Sequence, residues 1–454
     1  MVNTLLSILS GALLSCAFEP VGKWWLAPLA IATHMYAISR TKYRKQSAFL
    51  FALTFNLLSL HWTSTFVGST PWIILAVGLS LLYLPLSLIG RWGTSAYPLI
   101  FIVLEEIRNH FPFGGFGWAR IAYSQPDAPY SQIASRGGAI SLSAITVLIG
   151  AFIFFSCNAK AKPIFLFPLF LLLVPNNVST IGETNALLIQ GNVPRMGLDF
   201  NSRAKEVFNN HIIETQKAII ENRKIDFILW PENSVDVDPF INADVFNQLE
   251  AFKQPLIIGA IVGKGEKLLN TSILWGDTTQ EIYVKQHLTP FGEYIPLRSI
   301  ASRISPLVDR VEDFSPGDQG QIFDVGRAEI APIICFEIID DQILHAAAKS
   351  SNLLVVQTNS TTFGSSPESA QQLSITRVRA IEHSRNVLSV STTGYSAVID
   401  YTGRILQQTS MATAEHLYAS VGLIDQKSVR DRAGDWASVG TLIWLLFVSR
   451  RIQV

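Results

Sequence analysis

The charged residues of this chain are unevenly placed. Residues 1–175 hold 15 of its 70 Asp, Glu, Lys and Arg side chains, and residues 176–454 hold the other 55. About a quarter of an ordinary soluble domain is charged, so the first stretch cannot be one. The whole-chain values, 15% charged with a mean hydropathy of +0.30, average an oily part with a globular part. They exclude a soluble multidomain enzyme and a disordered chain. A net charge of +0 without a basic block argues against nucleic acid as a partner.

A bilayer crossing takes about 20 mostly apolar residues. Seven candidate spans precede residue 176, at about 4–18, 24–39, 47–66, 72–90, 94–107, 138–157 and 162–175; an eighth lies at about 436–449. The expected architecture is a polytopic α-helical membrane bundle of about eight spans, with a membrane domain over 1–175 and a C-terminal span and cytoplasmic tail over 436–454. Lys and Arg set its orientation. With the N-terminus inside, Arg40, Lys42, Arg44, Lys45, Arg91, Lys160, Lys162, Arg450 and Arg451 face the cytoplasm, whereas Lys23, Arg108, Arg120 and Arg136 face outward. That places residues 176–435 outside the cytoplasm. The first segment also imitates a secretory leader, and Leu13-Leu14-Ser15-Cys16 imitates a lipoprotein cleavage box. It has no Lys or Arg before Lys23, and further spans follow, so it is read as a first span.

Residues 109–137 form an outside loop rich in Phe, Gly, Pro and Tyr. Its glycines follow no strand and precede no Gly-Lys-Ser/Thr, so they cradle no phosphate. Contact with a lipid substrate and simple interfacial anchoring both explain its aromatics.

From about residue 184 the periodicity changes. Short β-branched runs (186–193, 226–230, 255–262, 271–275, 281–288, 329–335, 353–358, 387–400) alternate with helical patterns at about 201–224, 241–253, 341–350 and 368–385. This is one α/β domain of mixed sheets over 184–430, with Gly276-Asp277 turning an antiparallel pair.

Three cysteines are present, Cys16 and Cys157 in candidate spans and Cys335 by itself in the outside domain. A lone thiol is commonly an inert core residue. Here it ends the apolar run Ala331-Pro332-Ile333-Ile334 and precedes Phe336-Glu337 and a helical pattern. A strand-to-helix corner exposes such a side chain, and a nearby helix N-terminus favours its thiolate. Two other strand ends carry polar residues: Glu232 after Ile228-Leu229-Trp230-Pro231, and Lys285 after Ile282-Tyr283-Val284. Each has a dull reading, a turn cap for Glu232 and a solvated strand residue for Lys285. Together they supply a base, a cation and a thiol, which suffice for nucleophilic acyl transfer.

Three motifs occur in order: Trp230-Pro231-Glu232, then Lys285-Gln286-His287-Leu288-Thr289-Pro290-Phe291-Gly292-Glu293-Tyr294, then Ile333-Ile334-Cys335-Phe336-Glu337. The series closely resembles the Glu–Lys–Cys series of the nitrilase superfamily. Ala17-Phe18-Glu19-Pro20 ahead of Trp24-Trp25, together with Gln190-Gly191-Asn192-Val193-Pro194 and Arg379-Ala380-Ile381-Glu382-His383, resembles its membrane-fused branch, the apolipoprotein N-acyltransferase family. The resemblance runs almost end to end. It implies an extracytoplasmic nitrilase-like αββα sandwich, with Glu232 as general base, Lys285 as transition-state stabiliser and Cys335 as nucleophile. Glu293 and Glu337 match further acidic positions of the family. Phe336 stands where the family often has Tyr, and 359–364 lacks the Asp and Trp commonly found there.

The implied reaction moves an acyl chain from a membrane phospholipid, through a Cys335 thioester, to the α-amine of a diacylglyceryl apolipoprotein. The lipid bilayer is then a partner. No cofactor is expected, and no metal, for the chain has no His-Glu-x-x-His and no paired cysteines. Two other classes compete. A tethered amidase would share the triad but has no need of seven preceding spans. A transporter needs ionisable residues at the bilayer midplane, whereas Glu19, Glu105 and Glu106 fall near predicted span ends.

Overall fold

The computed structural model describes residues 1–157, 163–193, 205–220, 223–265, 267–276, 280–303, 308 and 311–451. The chain divides into two compact units, Met1–Asn177 with Ser428–Val454, and Val178–Lys427.

All regular structure described in the first unit is helical. Its main helices are Val2–Ser15, Leu26–Ser39, Arg44–Ser59, Ser69–Leu81, Tyr97–His110, Ala134–Ser156 and Trp436–Arg451, with a 3-10 segment at Pro163–Leu173. Among the described residues, two helical segments, Ser69–Trp92 and Ser131–Ser156, are long and apolar enough to cross a bilayer. Val2–Ser15, Leu26–Ser39, Pro163–Leu173 and Trp436–Arg450 are apolar but shorter. A helix of 14 residues such as Val2–Ser15 reaches roughly 21 Å, against about 30 Å of hydrocarbon. The aromatic loop folds back on its preceding helix. Phe116 N–H donates to the Arg108 carbonyl at 2.8 Å, and Ile121 N–H donates to the buried Glu105 carboxylate at 2.8 Å. Phe111 and Phe113 stay exposed.

The second unit is a sandwich. Strands β1 (Gly182–Gln190), β2 (Phe227–Leu229), β3 (Leu256–Lys264), β4 (Lys267–Trp275), β5 (Glu281–Val284) and β12 (Glu415–Leu423) make one six-stranded sheet, ordered β12-β1-β2-β3-β4-β5. Strands β6 (Phe323–Val325), β7 (Ala328–Ile334), β8 (Leu353–Thr358), β9 (Val387–Ser391), β10 (Ala397–Ile399) and β11 (Ile405–Gln408) make the other, ordered β11-β10-β9-β8-β7-β6. The central pairs β1–β2, β2–β3, β7–β8 and β8–β9 are parallel and the flanking ones antiparallel.

Alternation along each strand makes the layers. In β1, Ala186 and Leu188 enter the core between the sheets, with Leu229, Ile334, Val355 and Val390. Leu187 and Ile189 face the other way, joining Phe208 and Ile212 of helix Glu206–Ile219 and Val245 and Leu249 of helix Ala243–Glu250. Helices Asp341–Ser350 and Glu368–His383 pack on the second sheet. Strands buried on both faces read as unbroken apolar runs, which is why Ile228-Leu229 and Ile333-Ile334 carry no polar alternation. The nitrilase-like αββα arrangement follows.

Several expected elements differ. The run 387–400 is two strands, because the chain turns at 392–396 and pairs Ala397 with Ser389. Helix Glu206–Ile219 starts later than about 201; residues 201–204 lie outside the described residues, as do Pro194 and Asp277 of the predicted turn. Strands β6 and β11 are short, and β12 adds an unexpected edge strand whose Leu417, Ala419, Val421 and Leu423 alternate toward the core.

Candidate active site

The proposed residues sit where strands end. Strand β2 stops at Pro231, which has no N–H to continue a ladder, and Glu232 follows. Gly259 on the neighbouring strand admits this corner. A Cβ there would lie 2.4 Å from the Pro231 carbonyl oxygen and 2.6 Å from Glu232 Cα. Lys285 follows β5, its N–H donating to the Asn270 carbonyl of β4 at 2.9 Å. Gly317 N–H donates to the Lys285 carbonyl at 2.8 Å, an approach any Cβ would block, since it would lie 2.4 Å from the Val284 carbonyl oxygen.

Lys285 is 1% exposed and lies between two carboxylates. Its Nζ is 2.8 Å from Glu293 Oε2 and 3.3 Å from Glu232 Oε1. Asn270 Nδ2 donates to both, at 2.8 Å to Glu232 Oε1 and 2.6 Å to Glu293 Oε1. Thr289 N–H donates to Glu293 Oε2 at 2.7 Å. Burial pulls the Lys285 ammonium down, but Glu232, Glu293 and Cys335 together outweigh it and hold the group above its ordinary value. Burial likewise pushes the Glu293 carboxyl up, and Lys285, Asn270 and Thr289 bring it below its ordinary value. Both groups are ionised at neutral pH.

Cys335 ends β7 with φ +51°. An L residue held there costs about 1–3 kcal/mol. Gln372 Nε2 lies 3.8 Å from Sγ. The corner runs into a 3-10 turn, Cys335–Ile339, and the α-helix begins only at Asp341, capped by Asp340. This corrects the expectation of a thiolate favoured by a helix N-terminus. Burial pushes the Cys335 thiol well up, Glu232, Glu368 and Glu293 add to the push, and Lys285 opposes it. The resting sulfur is a thiol, so its proton must leave as it attacks.

Glu337 is fully buried and acts as a clasp. Oε1 accepts from Tyr283 OH at 2.8 Å, Gln286 N–H at 2.6 Å and His287 N–H at 3.3 Å; Oε2 accepts from Ile334 N–H at 2.7 Å. It thereby ties the peptides after Lys285 to the peptide before Cys335. Burial pushes its carboxyl up to about 7 despite these donors. Phe336 is buried edge-on to the His287 ring, with centroids 5.4 Å apart. It packs there, with no hydroxyl to offer.

Glu232, Lys285, Glu293 and Cys335 thus share one electrostatic environment, with Glu337 behind it. The sequence reading missed Asn270, Gln372 and Glu368. Asn270 opens the polar block Asn270-Thr271-Ser272 in the middle of β4, and only its register beside Lys285 marks it. Glu368 opens helix Glu368–His383 and is 2% exposed. Burial pushes its carboxyl up to about 8, with Ser360 opposing and Glu232 adding.

This is the architecture of the carbon–nitrogen hydrolases, whose family model matches residues 202–431. A second model, the apolipoprotein N-acyltransferase N-terminal domain, matches residues 10–152. The chain is 32% identical to the apolipoprotein N-acyltransferase of Mycolicibacterium smegmatis, over 88% of this chain and 76% of that one. It is 30% identical to that of Geobacter metallireducens, over 96% of this chain and 93% of that one. Among solved structures, an amidase from Nesterenkonia sp. is 15% identical with a TM-score of 0.43, over 58% of this chain and 98% of that one. The chain belongs to the apolipoprotein N-acyltransferase family. Membership puts it with the acyltransferases of lipoprotein biosynthesis rather than with free-standing amidases.

Proposed function

We propose that the chain transfers an acyl chain from a membrane phospholipid to the free α-amine of a diacylglyceryl-cysteine at a lipoprotein N-terminus, the last step of lipoprotein maturation. The observation that carries the reading is the buried Lys285 ammonium between Glu232 and Glu293, set beside a Cys335 thiol at a positive-φ corner.

In the donor half, Sγ attacks the ester carbonyl carbon while Glu232 takes the thiol proton. Lys285 balances the oxyanion of the tetrahedral intermediate. The carbon–oxygen bond breaks, Glu232 returns the proton to the departing alkoxide, and a lysophospholipid leaves. In the acceptor half the amine nitrogen attacks the Cys335 thioester, and Glu232 takes its proton. The carbon–sulfur bond breaks, the sulfur regains a proton from Glu232, and an amide remains. Glu293 and Asn270 hold Lys285 and Glu232 in place, and Glu337 holds the two strand ends together.

Both substrates are lipid-anchored, which accounts for the low-charge unit. The proposed topology is multi-pass in the cell membrane with about eight spans, an N-terminus inside and the catalytic unit over about 184–430 outside. Ser69–Trp92 and Ser131–Ser156 are long enough by themselves. The shorter apolar helices would rely on their flanking turns to complete a crossing, as buried backbone in a bundle permits.

The test uses purified full-length protein in detergent, mixed with phospholipid and then with a lipopeptide bearing a free α-amine. The wild type is expected to gain an acyl mass on the Cys335 peptide and lose it to the lipopeptide as an amide. Persistence of the adduct in Cys335→Ala sinks the mechanism. Release of free fatty acid with no amide formed sinks the transfer reading.

A further inference from the structure

Glu368 is a buried ionisable group that the proposed reaction leaves without work. It opens the 16-residue helix Glu368–His383, and its Oε2 is buried with no hydrogen-bond partner. Gln372 stands one helical turn later, on the same face, with its amide on Cys335 Sγ. Cys335 from the end of β7 and Glu232 from the end of β2 are the ionisable groups that act on Glu368 or are acted on by it. The segment after β8 brings Ser360, and the segment after β9 meets the helix through Tyr395 N–H on Ser369 Oγ at 2.9 Å. Lys285, the site's cation, is already shared by two carboxylates. Among the described residues, no cation acts on Glu368; burial, Ser360 and Glu232 do.

We propose that Glu368 is a positioning residue of the nucleophile, a carboxyl kept in its neutral form beside Cys335 so that the sulfur faces no further negative charge when its proton leaves. An ionised carboxylate there opposes thiolate formation, since like charges raise an acid's pKa. The neutral form lacks that penalty and still fills the first helical turn that carries Gln372 to the sulfur. Burial supports the neutral form near pH 7 and releases it near pH 8. The consequence for the proposed reaction, on whose reading this part rests, is an alkaline limit on Cys335 acylation that belongs to Glu368 and not to the triad.

The test reads the thiol directly and needs no acyl donor. Full-length protein in detergent is treated with iodoacetamide from pH 6.5 to 9.5, and alkylation of the Cys335 peptide is followed by mass. In the wild type the rise of log rate with pH is expected to flatten above about pH 8, as Glu368 ionises. In Glu368→Gln and Glu368→Met the rise continues. The ratio of variant to wild-type rate then climbs across the range by about threefold to tenfold, half to one pK unit of thiol shift. A ratio that stays level with pH, or a wild-type profile of constant slope through pH 9.5, overturns the proposal; the second readout needs no variant to fold. A lower rate at every pH in both variants marks a purely structural role and also overturns it. If the alkylation profile behaves as expected while phospholipid leaves no adduct, the acyl-transfer reading alone has failed.

Discussion

The two sheets bring opposite electrostatics to the same site. The first contributes Glu232, Lys285, Glu293 and Asn270, where the Lys285 ammonium lies 2.8 Å from the Glu293 carboxylate and 3.3 Å from Glu232. The second contributes Cys335, Glu337, Gln372 and Glu368, where burial pushes all three ionisable groups toward their neutral forms. Glu293 and Glu368 are the same residue type, both nearly excluded from solvent. What separates them is one ammonium group. A buried carboxyl is ionised when a cation meets it and neutral when none does.

Removing that ammonium should erase the contrast. In Lys285→Met, Glu232 and Glu293 lose the cation that lies between them. Cys335 acylation is expected to fall by about 10³-fold, the scale of losing an oxyanion stabiliser, measured as the rate of adduct formation. A loss under tenfold would mean that Lys285 does not touch the reaction.

Glu293→Gln leaves Lys285 with Glu232 as its single carboxylate. Acylation is expected to drop by about 10²-fold, the lower end for an acid–base group thrown out of position, with the protein still folded by circular dichroism.

Glu337→Gln probes the boundary between the sheets. All four groups bonded to Glu337 are donors, so an amide sets N–H against N–H or O–H. The expected cost is about 1–3 kcal/mol of stability, seen as a lower melting temperature of the detergent-solubilised protein. An unchanged melting temperature would show that the clasp does not hold the two sheet ends.

The smallest expected effect is a slope. Glu368 is pushed up to about 8, whereas an unfolded glutamate titrates near about 4.3. Between those values the native state binds more protons than the unfolded chain, so this contribution is full below about pH 4 and is lost as pH rises toward 8. The melting temperature of wild type minus that of Glu368→Gln should therefore decline from pH 5 to pH 8. A difference that rises instead would place the native carboxyl below its unfolded value.

Much of this was legible along the chain, because it depends on neighbours in sequence. Pro231 has no N–H to carry β2 onward, an apolar run of β-branched residues buries on two faces, and a charge-poor stretch demands another solvent. Those local rules located Glu232, Lys285 and Cys335 at strand ends. Helix lengths were less legible. The apolar stretches were read as spans, yet Leu26–Ser39 and Val2–Ser15 are 14 residues each, because hydropathy reports what a segment avoids and not how far its hydrogen bonding runs.

Tertiary structure alone decided the rest. Asn270 reaches two carboxylates because β4 pairs with β5 in one register and not the next. Gln372 reaches Sγ because the helix beginning at Glu368 packs on the second sheet. The Glu293 carboxyl is ionised because Lys285, 8 positions away in sequence, ends within 2.8 Å of it in space. Sequence determines which groups are available to ionise. Packing decides which of them do, because the energy of a charge falls on its surroundings and those are assembled only when distant segments meet.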